Sequence, residues 1–303
     1  MKQRFYSNGK LLITGEYVVL DGANALAVPT KYGQTLEIEP FNQGTLLWQS
    51  FNSENELWFT DEIHINEGFI IHESTNNAIS TRLIEILNAA KQLNPDFLNK
   101  KEGFKVSTKL NFPNNWGLGT SSTLINNIAQ WANIDAFKLL KFTFGGSGYD
   151  IACAQHNTPI TYCLQNKTPI VEAVSFLPEF KKHLYFVHLN QKQNSRDGIK
   201  HYKNNRNNVT EIIAKINVIT LKIISCKTLN DFFKLINEHE TLIAEITNQT
   251  PVKERLFSDF NGSIKSLGAW GGDFVLVASE NNPSKYFKNK GFKTVINYND
   301  MIL

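Results

Sequence analysis

The pattern of apolar and polar positions at the start of the chain predicts several strands and then a helix. The segment KLLITGEYVVL at 10–20 is rich in β-branched and apolar residues, and we interpret it as an apolar strand that Gly15 and Glu16 interrupt, with a turn at Asp21-Gly22. Leu36 and Ile38 share one face of TLEIEP, and GTLLWQSF, ELWFTDEIHI and FKVSTKLNF are expected to add further strands. A helix is predicted from about Thr81 to Leu93, with an apolar side made of Leu83, Ile86, Leu87 and Ala90.

The second half of the chain is dominated by helical periodicity between about 195 and 248. ITYCL and LYFVHL before it, and FVLVAS and KTVINY after it, have the composition of strands, and a helix is expected around PSKYFKNKG. This order predicts an α+β fold with a second α+β domain at the C-terminal end. We expect the boundary between about 165 and 180, and we divide the chain into domains 1–170 and 171–303.

Composition supports a folded protein with a sizeable core and argues against a nucleic-acid partner. The chain has 303 residues, with 42% hydrophobic and 19% charged residues, which fits about two globular domains. The formal net charge is only +3, and the basic runs KHYKNNR and KYFKNKGFK are modest. We interpret both runs as solvated helix faces, since a nucleic-acid surface carries a stronger and more clustered excess.

Cysteine use and the lack of long apolar runs indicate a cytoplasmic protein. Cys153, Cys163 and Cys226 form neither a disulfide framework nor a CxxC metal pair, which fits a reducing compartment. The N-terminus MKQRFYSNGKLLITGEY lacks the apolar core of a signal peptide. No run approaches the length of a membrane-spanning helix, so no membrane partner is expected.

The stretch NWGLGTSST at 115–123 places two glycines, a threonine and two serines directly before a helical pattern. The apolar face of that helix would comprise Leu124, Ile125, Ile128, Ala129 and Ala132. Ser121 or Ser122 is a candidate N-cap, which would make the stretch a well-capped loop. The alternative is an anion site, because helix N-termini carry N–H groups without intrahelical partners and glycines let a phosphate approach. The Walker A pattern GxxxxGK[ST] is absent, so backbone N–H groups and hydroxyls would hold any phosphate.

Three further segments carry candidate chemistry. Lys10 stands in GKLLITGEYVVLDG, where a solvated lysine is the ordinary interpretation. In FGGSGYDIACA, either Ser147 or Asp150 caps the next helix, or Asp150 is a carboxylate that takes a proton from an attacking hydroxyl. KSLGAWGGDFVLVAS leads from a glycine-rich turn into an apolar strand, either as a tight turn or as a ligand contact.

Four motifs occur in a fixed order between residues 9 and 274, namely GKLLITGEYVVLDG, PNNWGLGTSST, GGSGYDIA and GAWGGDF. This order resembles the GHMP kinase superfamily. The superfamily includes galactokinase, homoserine kinase, mevalonate kinase and phosphomevalonate kinase. The first segment and GSGYD look most like phosphomevalonate kinases, with mevalonate kinases second. The resemblance implies an N-terminal domain like domain 2 of ribosomal protein S5 and a ferredoxin-like C-terminal domain, with ATP between them. It further implies an ATP- and Mg²⁺-dependent kinase in isoprenoid precursor synthesis, acting on a small anionic metabolite such as phosphomevalonate or mevalonate.

The resemblance also implies roles for individual residues. Asp150 matches the catalytic carboxylate, and Lys10 would keep it ionised and stabilise charge on the transferring phosphoryl group. Ser121 matches the magnesium-binding serine. The phosphate-binding loop would comprise Gly117, Leu118, Gly119, Thr120, Ser121 and Ser122. The acceptor side would comprise Glu16, Ser147, Gly148, Lys192, Ser195, Arg196, Gly271 and Gly272, although a solvated turn is an equally good interpretation of 189–202.

Two departures from the family pattern keep other functions open. Trp270 replaces a small residue of the third motif, and LLKFTF holds no acid where mevalonate kinases carry a metal-binding glutamate. The metal would then have fewer protein ligands and keep more waters. The alternatives are a diphosphomevalonate-type decarboxylase, which releases carbon dioxide, and a non-catalytic nucleotide-binding homologue. Monomer and homodimer are both compatible with the sequence.

Overall fold

A computed structural model describes residues 2–42, 44–66, 69–71, 78–98, 102–192, 195–205 and 208–303. The chain divides into two compact units. Unit 1 comprises Met1–Gly9, Tyr32–Asn114 and Gly119–Gln155, and unit 2 comprises Lys10–Lys31, Asn115–Leu118 and His156–Leu303. This division differs from the single cut expected at 170, because two stretches of the first half belong to unit 2.

Unit 1 combines a mostly antiparallel sheet with helices. The first part of β1 (Gln3–Leu12) belongs to unit 1. The other strands of this unit are the second part of β2 (Ala25–Phe41), β3 (Thr45–Phe51), β4 (Leu57–Asn66), β5 (Phe69–Ile71) and β6 (Gly103–Leu110). They pair in the order β5, β4, β3, β6, β2, and only β3 with β6 is parallel. The helices are α1 (Ala78–Leu93), α2 (Thr120–Ala132), α3 (Ala136–Thr143) and α4 (Tyr149–Gln155).

The core of unit 1 confirms the two periodicities found in its sequence. Leu36, Ile38 and Trp48 are buried strand residues of one apolar cluster. The same cluster contains the predicted apolar side of α1, namely Leu83, Ile86, Leu87 and Ala90. A strand with period two and a helix with period 3.6 therefore bury their apolar sides together, as a layered α+β domain requires.

Unit 2 contains the end of β1 (Gln3–Leu12), the first part of β2 and six further strands. These are β7 (Ile160–Gln165), β8 (Thr168–Ala173), β9 (Leu184–His188), β10 (Ser263–Ser266), β11 (Phe274–Ala278) and β12 (Val295–Asn297). The last four form an antiparallel sheet in the order β10, β11, β9, β12, while β7 pairs with β2 and β8. The helices are α5 (Ser195–Asn205), α6 (Val209–Ile224), α7 (Leu229–Thr247), α8 (Val252–Leu256), α9 (Ser284–Asn289) and α10 (Tyr298–Met301).

The strand predicted from Lys10 ends at Leu12, and it does not resume after the predicted interruption at Gly15 and Glu16, so the second part of the prediction is wrong. Gly15 has a φ of 87°, and a 3-10 helix follows at Val18–Asp21. Residues 11–19 are nevertheless all buried. A turn that is buried on every side carries the same continuous apolar signal as a buried strand, which explains the error.

The α+β class predicted from the sequence is confirmed, since helices and two mostly antiparallel sheets occur in the described residues. Within those residues, no helix is both long and apolar enough to cross a membrane.

Candidate functional site

Helix α2 begins in unit 1 without a side-chain cap. Its N-cap is Gly119, whose φ of 94° is left-handed, and no side chain caps it. The expected cap by Ser121 or Ser122 is wrong: Ser121 is exposed, and the Ser122 hydroxyl donates backwards to the Gly119 carbonyl at 2.8 Å. The first-turn N–H groups of α2 are therefore left uncapped by any described side chain, which is the arrangement an anion needs.

A network of uncharged side chains fixes the buried side of α2. The Ser7 hydroxyl donates to Asn127 Oδ1 at 2.7 Å and accepts from Asn126 Nδ2 at 2.9 Å. The Thr123 hydroxyl donates to Gln34 Oε1 at 2.8 Å, and Asn127 Nδ2 donates to the Gln34 carbonyl at 3.0 Å. These bonds orient the helix without placing a charge in the core behind its N-terminus.

Asp150 lies in the first turn of α4, also in unit 1. It is half-buried, and its Oδ1 accepts a hydrogen bond from the Ile151 N–H at 3.2 Å. Gly148 directly before the helix is buried with a φ of 90°, and Ser147 is half-buried. A left-handed residue at this point turns the chain sharply into α4 and requires glycine.

The segment Asn115–Leu118 belongs to unit 2, where four contacts fix it. Lys10 donates through Nζ to the Gly117 carbonyl at 2.8 Å and through its backbone N–H to the Leu118 carbonyl at 3.0 Å. His188 Nε2 lies 3.1 Å from the Asn115 carbonyl, which requires the proton on Nε2. The Trp116 ring packs edge-on against Phe274, with centroids 5.3 Å apart. Lys10 is thus held against the first glycine of the GLGTSS sequence.

Asp273 also contacts this segment, and sequence reasoning did not select it. Gly117 has a φ of 65°, and a Cβ added there would lie 2.3–2.6 Å from the carboxylate atoms of Asp273. Only glycine fits, both for its backbone conformation and for this close approach. The signal was present, because Asp273 is the acid of GAWGGDF, but no local spacing connects residue 273 with residue 117.

The third motif forms a turn in unit 2. The Gly271 carbonyl accepts from Arg255 Nη2 at 3.1 Å and from Gln191 Nε2. Gly272 is buried, and Trp270 is only 1% exposed. The large side chain that departs from the family pattern is therefore accommodated inside unit 2.

Glu16 is completely buried and paired with a lysine. Its Oε1 accepts from Lys265 Nζ, and both side chains have no exposed surface. His239 Nε2 lies 3.4 Å from Glu16 Oε2 and accepts from the Gly15 N–H at 3.0 Å, which leaves its proton on Nδ1. Glu16 is thus held by buried partners, and the acceptor contact that the resemblance implies stays a prediction.

Glu240 extends the buried cluster. Its carboxylate accepts from the Ser266 N–H at 3.1 Å and from the Ser266 hydroxyl at 2.7 Å. Burial raises the pKa of Glu240 to about 7, and it also raises the pKa of Glu16 above its ordinary range. Burial lowers the pKa of His239 well below its ordinary value, with repulsion from Lys265 adding to the effect.

The remaining predicted site residues lie just before α5 and in its first turn. Lys192 is exposed. Ser195 and Arg196 lie in the first turn of α5, but their side chains fall outside the described part of the structure. Among the residues described, no group of three His, Cys, Asp or Glu side chains is placed to hold a metal ion.

The predicted site residues divide between the two units. Unit 1 holds Gly119, Thr120, Ser121, Ser122, Ser147, Gly148 and Asp150, and unit 2 holds Lys10, Glu16, Gly117, Leu118, Lys192, Ser195, Arg196, Gly271 and Gly272. Leu118 is fully buried, so only its backbone is available to a ligand. The pairing of Lys10 with Asp150 stays a prediction.

Comparison with known proteins gives matches in structure. No family model and no curated protein matches the sequence. Methanococcus jannaschii mevalonate kinase superposes with a TM-score of 0.71 at 18% identity, covering 97% of this chain and 96% of that one. Streptococcus pneumoniae phosphomevalonate kinase, in complex with phosphomevalonate and AMPPNP, gives 0.71 at 15% identity, with 97% and 99% covered. Lactococcus lactis galactokinase complexed with galactose gives 0.68 at 12% identity, with 95% and 88% covered.

All three are kinases of the superfamily that the motifs resemble, and each match extends over nearly the whole chain. The predicted fold is therefore confirmed: this chain has the GHMP kinase fold.

Proposed function

We propose that the protein is an ATP-dependent small-molecule kinase that transfers the γ-phosphoryl group to a hydroxyl or phosphate of a small anionic metabolite. The favoured acceptors are phosphomevalonate and mevalonate, which would place the enzyme in isoprenoid precursor synthesis. The observation that carries this proposal is the uncapped start of α2 behind the left-handed Gly119, in a chain with the fold of these kinases.

The start of α2 would bind the phosphates of ATP. Its N–H groups and the positive end of the helix favour anions, and the glycine N-cap lets a phosphate approach the backbone. The uncharged network behind the helix supports this role, because it orients α2 through neutral side chains, which do not compete with the ligand as a charged group would. Phosphoryl transfer depends mainly on such positioning and charge stabilisation.

Asp150 and Lys10 would act on the reacting groups. The Asp150 carboxylate is half-buried at the start of a helix, where it can accept or orient the proton of the acceptor hydroxyl. The Gly117 carbonyl fixes the Lys10 ammonium, so its charge is in place before the reaction begins. The Lys10 ammonium would stabilise the negative charge that develops on the phosphoryl group during transfer.

Magnesium fits this site through few protein ligands. The exposed Ser121 hydroxyl is the candidate ligand, and Mg²⁺ commonly keeps several waters beside one or two protein groups. The ion would neutralise phosphate charge when bound.

The acceptor side would lie at the third motif and α5. The exposed Arg255 donates to the Gly271 carbonyl, and the exposed Lys192 directly follows Gln191, which donates to the same carbonyl. Cationic side chains there favour an anionic acceptor over a neutral sugar. The cysteines are free thiols, which is consistent with a cytoplasmic enzyme.

A product assay tests the proposal. Purified protein receives ATP and Mg²⁺ with mevalonate, phosphomevalonate, diphosphomevalonate or galactose separately, and ADP release is measured together with product mass. One phosphorylated product without carbon dioxide supports the kinase and identifies the acceptor. Carbon dioxide from diphosphomevalonate would indicate the decarboxylase instead. ATP binding without turnover of any acceptor would contradict the proposal and favour a non-catalytic homologue.

A further inference from the structure

Tyr17 occupies a backbone conformation that side chains rarely adopt. Its φ is 60° and its ψ is −49°, and the Val18 N–H donates to the Glu16 carbonyl at 2.7 Å across it. This is a three-residue γ-turn of the positive-φ type, which is rare and strained for any residue other than glycine. Such strain persists only where the surrounding structure enforces it.

The buried ionic cluster enforces this turn. Glu16, directly before Tyr17, is held by Lys265, and Gly15 donates its N–H to His239. All three charged or titratable side chains are completely buried. The two residues preceding Tyr17 are thereby fixed, and the turn aims the tyrosine side chain in one direction.

The Tyr17 ring packs against helix α5. It stacks on Tyr202 with ring centroids 5.6 Å apart and an interplanar angle of 18°. Gly198 lies one turn earlier on the same helix face, and a Cβ added there would lie 2.5 Å from the Tyr17 hydroxyl oxygen. The side chain of Tyr17 therefore sets how closely α5 approaches the first motif.

The Tyr17 hydroxyl also contacts the third motif. The Trp270 N–H donates to the hydroxyl oxygen at 3.1 Å. Burial raises the pKa of Tyr17 to about 12, so the phenol stays neutral over the range in which the protein would work. One side chain thus joins α5 and the Gly268–Gly272 turn, which are the two segments that carry the acceptor side of the proposed kinase.

We propose that Tyr17 is a positioning residue that holds the first turns of α5 and the Gly268–Gly272 turn at the separation required to bind the anionic end of the acceptor. This role rests on the proposed function and deepens it. Tyr17 acts through the two segments, and the reacting phosphoryl group is left to Asp150 and Lys10.

Hydrogen exchange tests the junction without any substrate. In Tyr17→Phe the Trp270 N–H loses its acceptor and the space beside Gly198 opens. Peptides covering 195–205 and 268–272 are expected to exchange at least about threefold faster, because a hydrogen bond and a packing contact are lost. Peptides of α1 in unit 1 should not change. Tyr286→Phe, which removes another tyrosine hydroxyl of unit 2, is the matched control and should leave both segments unaffected.

Acceptor kinetics test the positioning role. Tyr17→Phe and Gly198→Ala are each expected to raise the KM for the acceptor about tenfold, while the KM for ATP changes less than about twofold. The double variant should be no worse than either single variant, because the added methyl group no longer meets a hydroxyl oxygen. A general loss of folding would instead lower kcat and weaken ATP binding together.

The outcomes separate the two proposals. If the wild-type protein phosphorylates an acceptor and Tyr17→Phe keeps its KM, the positioning role is overturned and the kinase stands. If hydrogen exchange is the same in Tyr17→Phe as in wild type, the junction itself is overturned. If no acceptor is phosphorylated by the wild-type protein, the proposed function fails and the acceptor role fails with it, although faster exchange would still establish the junction.

Discussion

Two buried polar clusters each hold one segment of the protein in place, and they differ in the kind of side chain that they use. In unit 1, the buried side of α2 is held by neutral groups, with Ser7, Asn126 and Asn127 bonded to one another. In unit 2, an ion pair between Glu16 and Lys265 holds the turn at Gly15–Tyr17. The Glu240 carboxylate of the same cluster accepts a hydrogen bond from the Ser266 hydroxyl. Both clusters fix a segment that the proposed kinase needs.

The difference follows from what each segment must do. A neutral network suits a helix N-terminus, because any fixed charge beside it would alter the weak field that attracts a phosphate. Buried charges are costly to desolvate, and they are strongly directional once paired. Paired buried charges suit a strained turn such as that at Tyr17, because such a turn persists only where the surrounding structure enforces it.

Removing the lysine of the charged cluster should have the largest effect. Lys265→Met leaves Glu16 buried without its cation, and we expect it to lower the free energy of unfolding by about 3–5 kcal/mol. Urea unfolding measures the loss. Lys290→Met, which breaks the exposed pair with Asp259, is the control and should hardly move the midpoint. The double variant Lys265→Met/Glu16→Gln should recover part of the loss, and no recovery would contradict the ion-pair account.

The charged cluster should also make stability depend on pH. The Glu240 carboxyl has a pKa of about 7 when folded and 4.5 as its ordinary value, so the unfolded chain releases this proton first as pH rises. Its contribution to stability is therefore present below about pH 4.5 and is lost by about pH 7, amounting to roughly 3 kcal/mol.

The variant Glu240→Gln isolates this contribution. The wild-type advantage over Glu240→Gln in urea unfolding should decrease between pH 5 and pH 7.5. Subtracting the variant cancels His239, whose lowered pKa acts in the opposite direction, since its neutral folded form loses stability as pH falls below about 6.5. An advantage that stays constant with pH would show that Glu240 is ionised throughout.

The loop that precedes α2 should be sensitive at Gly117. In Gly117→Ala, the new methyl group meets the Asp273 carboxylate and the backbone is strained as well. We expect kcat/KM for ATP to fall by about 10–100-fold, because the shift moves the carbonyl that holds Lys10. Gly291→Ala is the control, since its φ is also positive but its Cβ would meet no atom within 4 Å. Equal activity in the two variants would show that the Asp273 contact has no role.

Breaking the neutral cluster should have the smallest effect. Ser7→Ala removes the partner of Asn126 and Asn127, and we expect a loss of roughly 1–2 kcal/mol in urea unfolding. The loss should not vary between pH 5 and pH 8, because no group in this network titrates there. Ser225→Ala, an exposed hydroxyl, is the control and should change stability by less than about 0.5 kcal/mol. A loss that varies with pH would contradict the contrast between the clusters.

Periodicity predicted the parts of the fold that follow local rules. The apolar side of α1 and the alternation of Leu36 and Ile38 were predicted correctly, because each depends only on residues a few positions apart. The interruption at Gly15 was predicted, but the strand expected after it is a 3-10 helix, since a buried apolar run does not distinguish the two. Asn126 and Asn127 are buried on α2, which a polar residue type does not suggest.

In the candidate site, too, local motifs were predicted and long-range contacts were not. The glycine motifs identified the start of α2 and the third motif, but not the N-cap, which is Gly119 and neither serine. Lys265, 249 residues from Glu16, carries no local signal of that pairing. No local signal in the sequence indicates that Asp273 lies beside Gly117 or that Tyr17 lies beside Gly198. Long-range contacts of this kind are set by the fold, and spacing along the chain does not reveal them.

Asp150 is the residue proposed to act on the acceptor hydroxyl during phosphoryl transfer, and a single-turnover measurement tests this role. Wild type, Asp150→Asn and the surface control Asp259→Asn are each mixed with ATP, Mg²⁺ and the acceptor identified in the product assay. We predict that transfer slows by about 10²–10⁴-fold in Asp150→Asn alone, with ATP affinity within about twofold of wild type. Transfer by Asp150→Asn at the wild-type rate would contradict the account.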